Sequence, residues 1–236
     1  MSRRAVALAQ QAAQKEKAAL YEAGAAVREA FFGNTPEARR NAMAALELSR
    51  DRDVEDGAAF ALALAGDAAR SQTLADDLEK RFPEDTSARF IYVPALRAVL
   101  ALDPFRHVAN GLKRGEPSEA IELLQAAVPY DLAAPGSWFS FFGYMYPAYV
   151  RGEAFLAARQ YAEAAAEFQR ILDHRGLIFC DPVGVVARLQ MGRALALSGD
   201  KAKAKAAYQD FLTLWKEADA DIPILQQAKA EYARLQ

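Results

Sequence analysis

Residues 148 to 172 read AYVRGEAFLAARQYAEAAAEFQRIL, and the spacing of small and large apolar residues in this stretch decides the fold. Ala164, Phe168 and Ile171 follow one another at helical intervals and share one face, the alanine admitting a neighbouring helix and the larger side chains filling the space beside it. Ala120, Leu124 and Ala127 repeat the pattern upstream, and Ala204, Tyr208 and Phe211 repeat it downstream. Runs of alternating Val, Ile and Thr are nearly absent, so the expected fold is all-α.

Turns punctuate these helices. Gly33-Asn34-Thr35-Pro36, Gly66-Asp67, Gly115-Glu116-Pro117 and Gly199-Asp200 each end one helical run and open another, which reads as the bend of a helical hairpin. Asn34 and Glu37 have capping-box spacing, and Pro36 falls in a first turn where no backbone donor is lost. Alanine contributes 53 of the 236 residues, partly as close-packing positions and partly as helix filler.

Composition removes most chemistry. The chain is 53% hydrophobic and 25% charged, enough for a sizeable core, and its net charge of -2 gives no field to draw in nucleic acid or an anionic membrane. One cysteine, Cys180, excludes an internal disulfide, and two histidines, His107 and His174, leave little for a metal site; no cofactor is expected. The N-terminus lacks the apolar stretch of a signal peptide, which reads as a cytoplasmic protein. The uncharged run between Asp131 and Arg151 is broken by Pro135, Gly136, Gly143 and Pro147, so it reads as aromatic protein core and not as a membrane span.

Over Tyr146 to Ile178 the chain resembles the tetratricopeptide repeat (TPR), a pair of antiparallel helices about 34 residues long. Gly152 stands at the small position of the first helix, Phe155 at its aromatic position, Tyr161 at the turn, and Ala164 and Phe168 in the second helix. Gly192, Leu195, Gly199, Ala204 and Tyr208 repeat the set, and Pro83 in RFPED stands where the family ends its second helix. Phrases such as EFQRILDHRG and AAYQDFLTLWKEAD also resemble the TPR region of bacterial eukaryotic-like serine/threonine protein kinases. The kinase motifs themselves are absent from the sequence, so phosphoryl transfer would belong to a separate domain.

The resemblance implies a single superhelical domain over residues 1–236, with units at 3–50, 52–84, 86–131, 137–178 and 182–218 and a capping helix at 222–235. A long helix is expected from Arg3 to Phe32, and insertions near 103–113 and 131–143. Carried onto this chain, the family's groove positions are Asp53, Asp56 and Phe60; Tyr146, Tyr149 and Glu153; and Val186, Leu189 and Arg193. The Lys and Asn that hold terminal carboxylates in chaperone-binding members are missing from these positions, so the resemblance implies a groove held by aromatic contacts, with Arg193 as polar anchor.

Other features have structural readings. His174 suits a helix C-terminus, Cys180 a packing site before the Asp181-Pro182 cap, and the Asp76-Asp77 and Glu84-Asp85 carboxylates solvated helix faces. His107 receives no chemistry. The aromatic stretch from Trp138 to Tyr149 reads either as a plug between middle repeats or as an exposed patch in the groove. The expected function is non-catalytic protein or peptide binding, through a groove comprising Phe60, Trp138, Tyr146, Tyr149, Glu153, Leu189 and Arg193. The alternatives are an all-α enzyme using the aromatic insertion and homo-oligomerisation through it.

Overall fold

In the computed structural model, residues 2–103, 106–108, 111–113, 115–133, 145–178 and 181–235 are described. The chain is built from helices packed on their sequence neighbours: α1 Ser2–Gln11, α2 Lys15–Phe31, α3 Thr35–Leu48, α4 Arg52–Leu64 and α5 Ala68–Arg81. A π-helical segment, Ala88–Tyr92, leads into α6 Val93–Leu102; a short antiparallel pair, β1 Arg106–Val108 and β2 Gly111–Lys113, precedes α7 Pro117–Leu123, which tightens into a 3-10 stretch, Leu124–Tyr130. Then follow α8 Tyr146–Ala157, α9 Tyr161–Asp173, the single turn α10 Arg175–Ile178, α11 Val183–Leu197, α12 Lys201–Leu214 and α13 Pro223–Ala233.

Hairpins α2–α3, α4–α5, α6–α7, α8–α9 and α11–α12 stack in order, with α2 on α4, α4 on α6, α6 on α8, and α8 and α9 on α11. Their facing sides form one core running from Ala19 in α2 to Ala228 in α13. Small-to-large matching sets the distance within each pair. A Cβ at Gly152 would fall 2.6 Å from two ring carbons of Phe168, and one at Gly192 would fall 3.1 Å from the ring of Tyr208. Only glycine lets α8 approach that ring so closely.

The hairpin bends share one geometry. Gly33, Gly66 and Gly199 have φ of 85°, 76° and 89°, and the following amides of Asn34, Asp67 and Asp200 donate to the carbonyls of Glu29, Leu62 and Leu195. This is the hydrogen bonding of a glycine-ended helix. Arg159 takes the same place with φ 62° between α8 and α9. Gly115 serves differently: a Cβ there would lie 2.8 Å from the Asp103 carbonyl oxygen, so the glycine allows a close backbone approach, and the next amide, of Glu116, donates to Ala101 O.

Three expectations are corrected. The long first helix is two helices, broken at Ala13 with φ 55°, because α1 must fold back for Val6 and Ala9 to bury against Ala18. The Asn34–Glu37 capping box does not form: the Asn34 side chain accepts no cap hydrogen bond and its Nδ2 donates to Glu29 Oε2 at 2.8 Å, while Glu37 pairs with Arg40. The C-terminal helix caps more than the last hairpin, since the Ile224 amide donates to Phe32 O at 3.2 Å and Trp215 meets Phe32 edge-on at 4.8 Å. The two ends of the stack therefore touch.

Candidate functional site

The first helices of successive hairpins supply the inner face, and most of the residues expected to line a groove converge there. Phe60 on α4 stacks on Tyr146 of α8 at 4.7 Å, and Leu189 of α11 lies fully buried nearby in the same core. They do not form an open surface. Phe31, at the end of α2, fills the curve and sets its ring edge-on to Tyr146 at 5.7 Å and to Tyr149 at 5.1 Å. Phe60, Tyr146 and Tyr149, which Phe31 meets, are buried, and so is Leu189, which corrects their placement as an open groove lining. The sequence offered little sign of this, because Phe31 and Tyr149 are far apart along the chain and meet only when the stack curves. Trp138 lies outside the described residues, as do the side chains of His107 and Cys180.

Polar groups thread this aromatic core. The Tyr146 hydroxyl donates to Asp181 Oδ2 at 3.0 Å, and Asp181 Oδ1 accepts from the Val183 amide at 2.9 Å, so Asp181 caps α11 and fixes the tyrosine together. Burial pushes Asp181 up to about 7, against the pull of those two donors. Tyr92 donates to Asp53 Oδ1 at 3.1 Å, and Arg52 bridges Asp53 and Asp85 at 2.8 and 2.6 Å. Asp56, deeper still, is held well above the carboxylate range by burial and by the charge of Asp53.

Arg193, expected as an anchor for a partner, is engaged within the chain. Its guanidinium grips Glu231 of α13 through two bonds of 2.9 and 2.8 Å and reaches Gln190 Oε1 at 3.2 Å. Tyr208 donates to the same Glu231 at 2.8 Å. Burial raises Glu231, but the donors from Arg193 and Tyr208 outweigh it and hold the carboxyl below its usual range. Gln190 in turn donates to the Tyr149 hydroxyl at 3.2 Å.

A cleft of about 660 Å³ opens between the α4–α5 turn, the end of α6 and the face of α8. Its walls are mostly aliphatic, from Ala63, Leu64, Ala68, Val99, Leu102 and Val150, with Tyr149 and Glu153 on the α8 side. Of the expected groove set, Tyr149 and Glu153 line this cleft, and Glu153 brings its carboxyl to the wall. Its Oε1 is out of solvent and has no hydrogen-bond partner among the described residues. Burial pushes this carboxyl up to about 7, although the charge of Arg193 and the Tyr149 hydroxyl oppose the shift. The sequence shows the Gly66-Asp67 turn only as a hairpin bend, and Val99 and Leu102 of α6 carry no motif of their own, so neither stood out as the wall of a site.

The remaining candidates have structural places. His174 Nδ1 donates to Arg170 O at 2.7 Å at the end of α9. Asp76 and Asp77 pair with Arg97 and Arg81, and Asp85 with Arg52. Among the described residues no group of three or more His, Cys, Asp and Glu side chains could hold a metal ion, and no helix is long and apolar enough to cross a membrane. No protein-family model matches the chain, and a search of curated proteins finds no match to it.

Proposed function

We propose that the chain is a non-catalytic protein-binding module, a TPR-like superhelix serving as scaffold or partner-binding region of a bacterial signalling protein such as a serine/threonine kinase. The observation that carries this reading is the cleft of about 660 Å³, whose walls come from three successive hairpins and are mainly aliphatic. A site of that size and lining suits an extended peptide segment or a protruding side chain. Among the described residues its lining includes acids but no serine, cysteine or histidine, so these supply no nucleophile with a positioned base. The stacked hairpins and the repeated glycine-to-aromatic contacts agree with the family resemblance.

Photo-cross-linking from the cleft tests the reading. A benzoylphenylalanine at Ala69, on the cleft wall, should capture a protein partner in the native host, whereas the same group at exposed Gln72 on α5 should not. Ala69→Arg, which fills the cleft from an exposed position, should abolish capture. Equal capture from both positions, or capture unaffected by Ala69→Arg, would remove the cleft as the binding surface.

A further inference from the structure

We propose that the cleft between α4, α6 and α8 receives a basic side chain of the partner, its aliphatic stem lying along the cleft walls and its cationic head paired with the Glu153 carboxylate. This deepens the protein-binding reading and rests on it. The argument begins with charge. Glu153 sits on the face of α8 at the place that Arg193 occupies on α11, and the charge of Arg193 reaches it without a hydrogen bond between the two. Arg193 is instead committed to Glu231 by two hydrogen bonds and to Gln190 by a third. Glu153 Oε1 is left buried and without a hydrogen-bond donor.

The other charges around the cleft are already matched, Asp103 on the α6 wall having a partner within the chain. Asp67 of the turn accepts from the amide and guanidinium of Arg70. Arg39, behind the turn, donates to Ala65 O at 2.5 Å. A buried carboxylate oxygen without a hydrogen-bond donor is costly, and a charged hydrogen bond supplied by a ligand removes that cost. An anionic ligand would instead bring like charge against Glu153. A neutral apolar group would fill the walls and leave Oε1 unsatisfied. A long aliphatic stem ending in an ammonium or guanidinium satisfies both the walls and the carboxylate.

Amide NMR of the full chain with defined probes tests this. The probes are n-hexylammonium, n-hexylguanidinium and 1-hexanol, together with acetyl-Ala-Leu-Lys-Leu-Ala-amide and its norleucine counterpart. Both cations should shift amides of the α4–α5 turn, the end of α6 and residues 149–153, and should bind about tenfold more tightly than hexanol. The stronger of the two cations identifies lysine or arginine as the preferred side chain. The lysine peptide should exceed the norleucine peptide by a similar factor. Glu153→Gln, which keeps the shape of the side chain, should erase the preference for cations while leaving hexanol binding unchanged.

Cations that produce no localised shifts up to about 10 mM, or that bind Glu153→Gln as well as the parent chain, overturn the proposal. Partner capture at position 69 separates the two claims. Capture that survives Glu153→Gln but not Ala69→Arg leaves protein binding standing and rejects the cationic anchor. Loss of capture specificity for the cleft rejects the protein-binding reading itself.

Discussion

Hairpins α8–α9 and α11–α12 share one sequence pattern and differ in how tightly it is realised. Gly152 faces Phe168 and Gly192 faces Tyr208, yet a methyl group would meet ring carbons at 2.6 Å in the first and at 3.1 Å in the second. The charged contacts differ in the same sense. Arg151 of α8 is buried and joins Asp131 and Glu167 at 2.6 and 2.7 Å, tying the 3-10 stretch to the hairpin. Arg193 of α11 is partly exposed and ties in α13. The first hairpin lies inside the stack, with neighbours on both sides, whereas the second lies near its end and can yield. A shared motif therefore sets the helix pairing, while position in the stack sets how much each contact matters.

The sharpest way to break this comparison is to remove the buried arginine. Arg151→Met leaves the Asp131 carboxylate, 3% exposed, with Arg170 alone. Urea unfolding should show a loss of about 3–5 kcal/mol. A loss below 1 kcal/mol would show that the inner hairpin is no less forgiving than the outer one.

Gly152→Ala comes next. Phe168 is fully buried and has no room to turn away, so a loss of about 2–3 kcal/mol is expected from the urea midpoint at unchanged slope. Glu153→Gln then tests the equivalent positions 153 and 193. Because burial raises the folded carboxyl from 4.5 to about 7, its contribution to stability is fully present below about pH 4.5 and is lost as pH rises through 7. Parent and variant should match near pH 4.5, and the variant should be the more stable by about 2–3 kcal/mol at pH 8. A constant difference across this range would place the Glu153 proton elsewhere.

Arg193→Met should cost about 1–2 kcal/mol, less than Arg151→Met, because its pair with Glu231 remains partly solvated. Hydrogen exchange should show the loss concentrated in α13. The smallest effect is expected from Gly192→Ala, within about 1 kcal/mol of the parent, since the gain in helix propensity offsets a contact that Tyr208 can relieve. An effect as large as that of Gly152→Ala would erase the distinction between the two hairpins.

The helices and their bends were legible because they depend on neighbours in sequence. Gly33, Gly66 and Gly199 announce left-handed bends, and Ala164 with Phe168, or Ala204 with Tyr208, announces the buried face of a second helix. The break at Ala13 was not legible, since alanine favours helix and only the return of Val6 onto Ala18 rewards the interruption. Asn34 shows the same limit: the residue suits a cap, but its side chain accepts no cap hydrogen bond and its Nδ2 donates to Glu29 Oε2. Of the expected groove set, Phe60, Tyr146 and Tyr149 gave no sign in the sequence that Phe31 would pack against them and bury them.

The sequence by itself determined an all-helical chain, its hairpin bends and the faces its helices bury, because periodicity and local hydrogen bonding are set within a few residues. The tertiary structure alone decided which inner residues are core and which meet solvent. That choice depends on contacts between helices far apart in sequence, which bring Phe31 against Tyr149, join Arg193 to Glu231 and leave Glu153 on the wall of an open cleft.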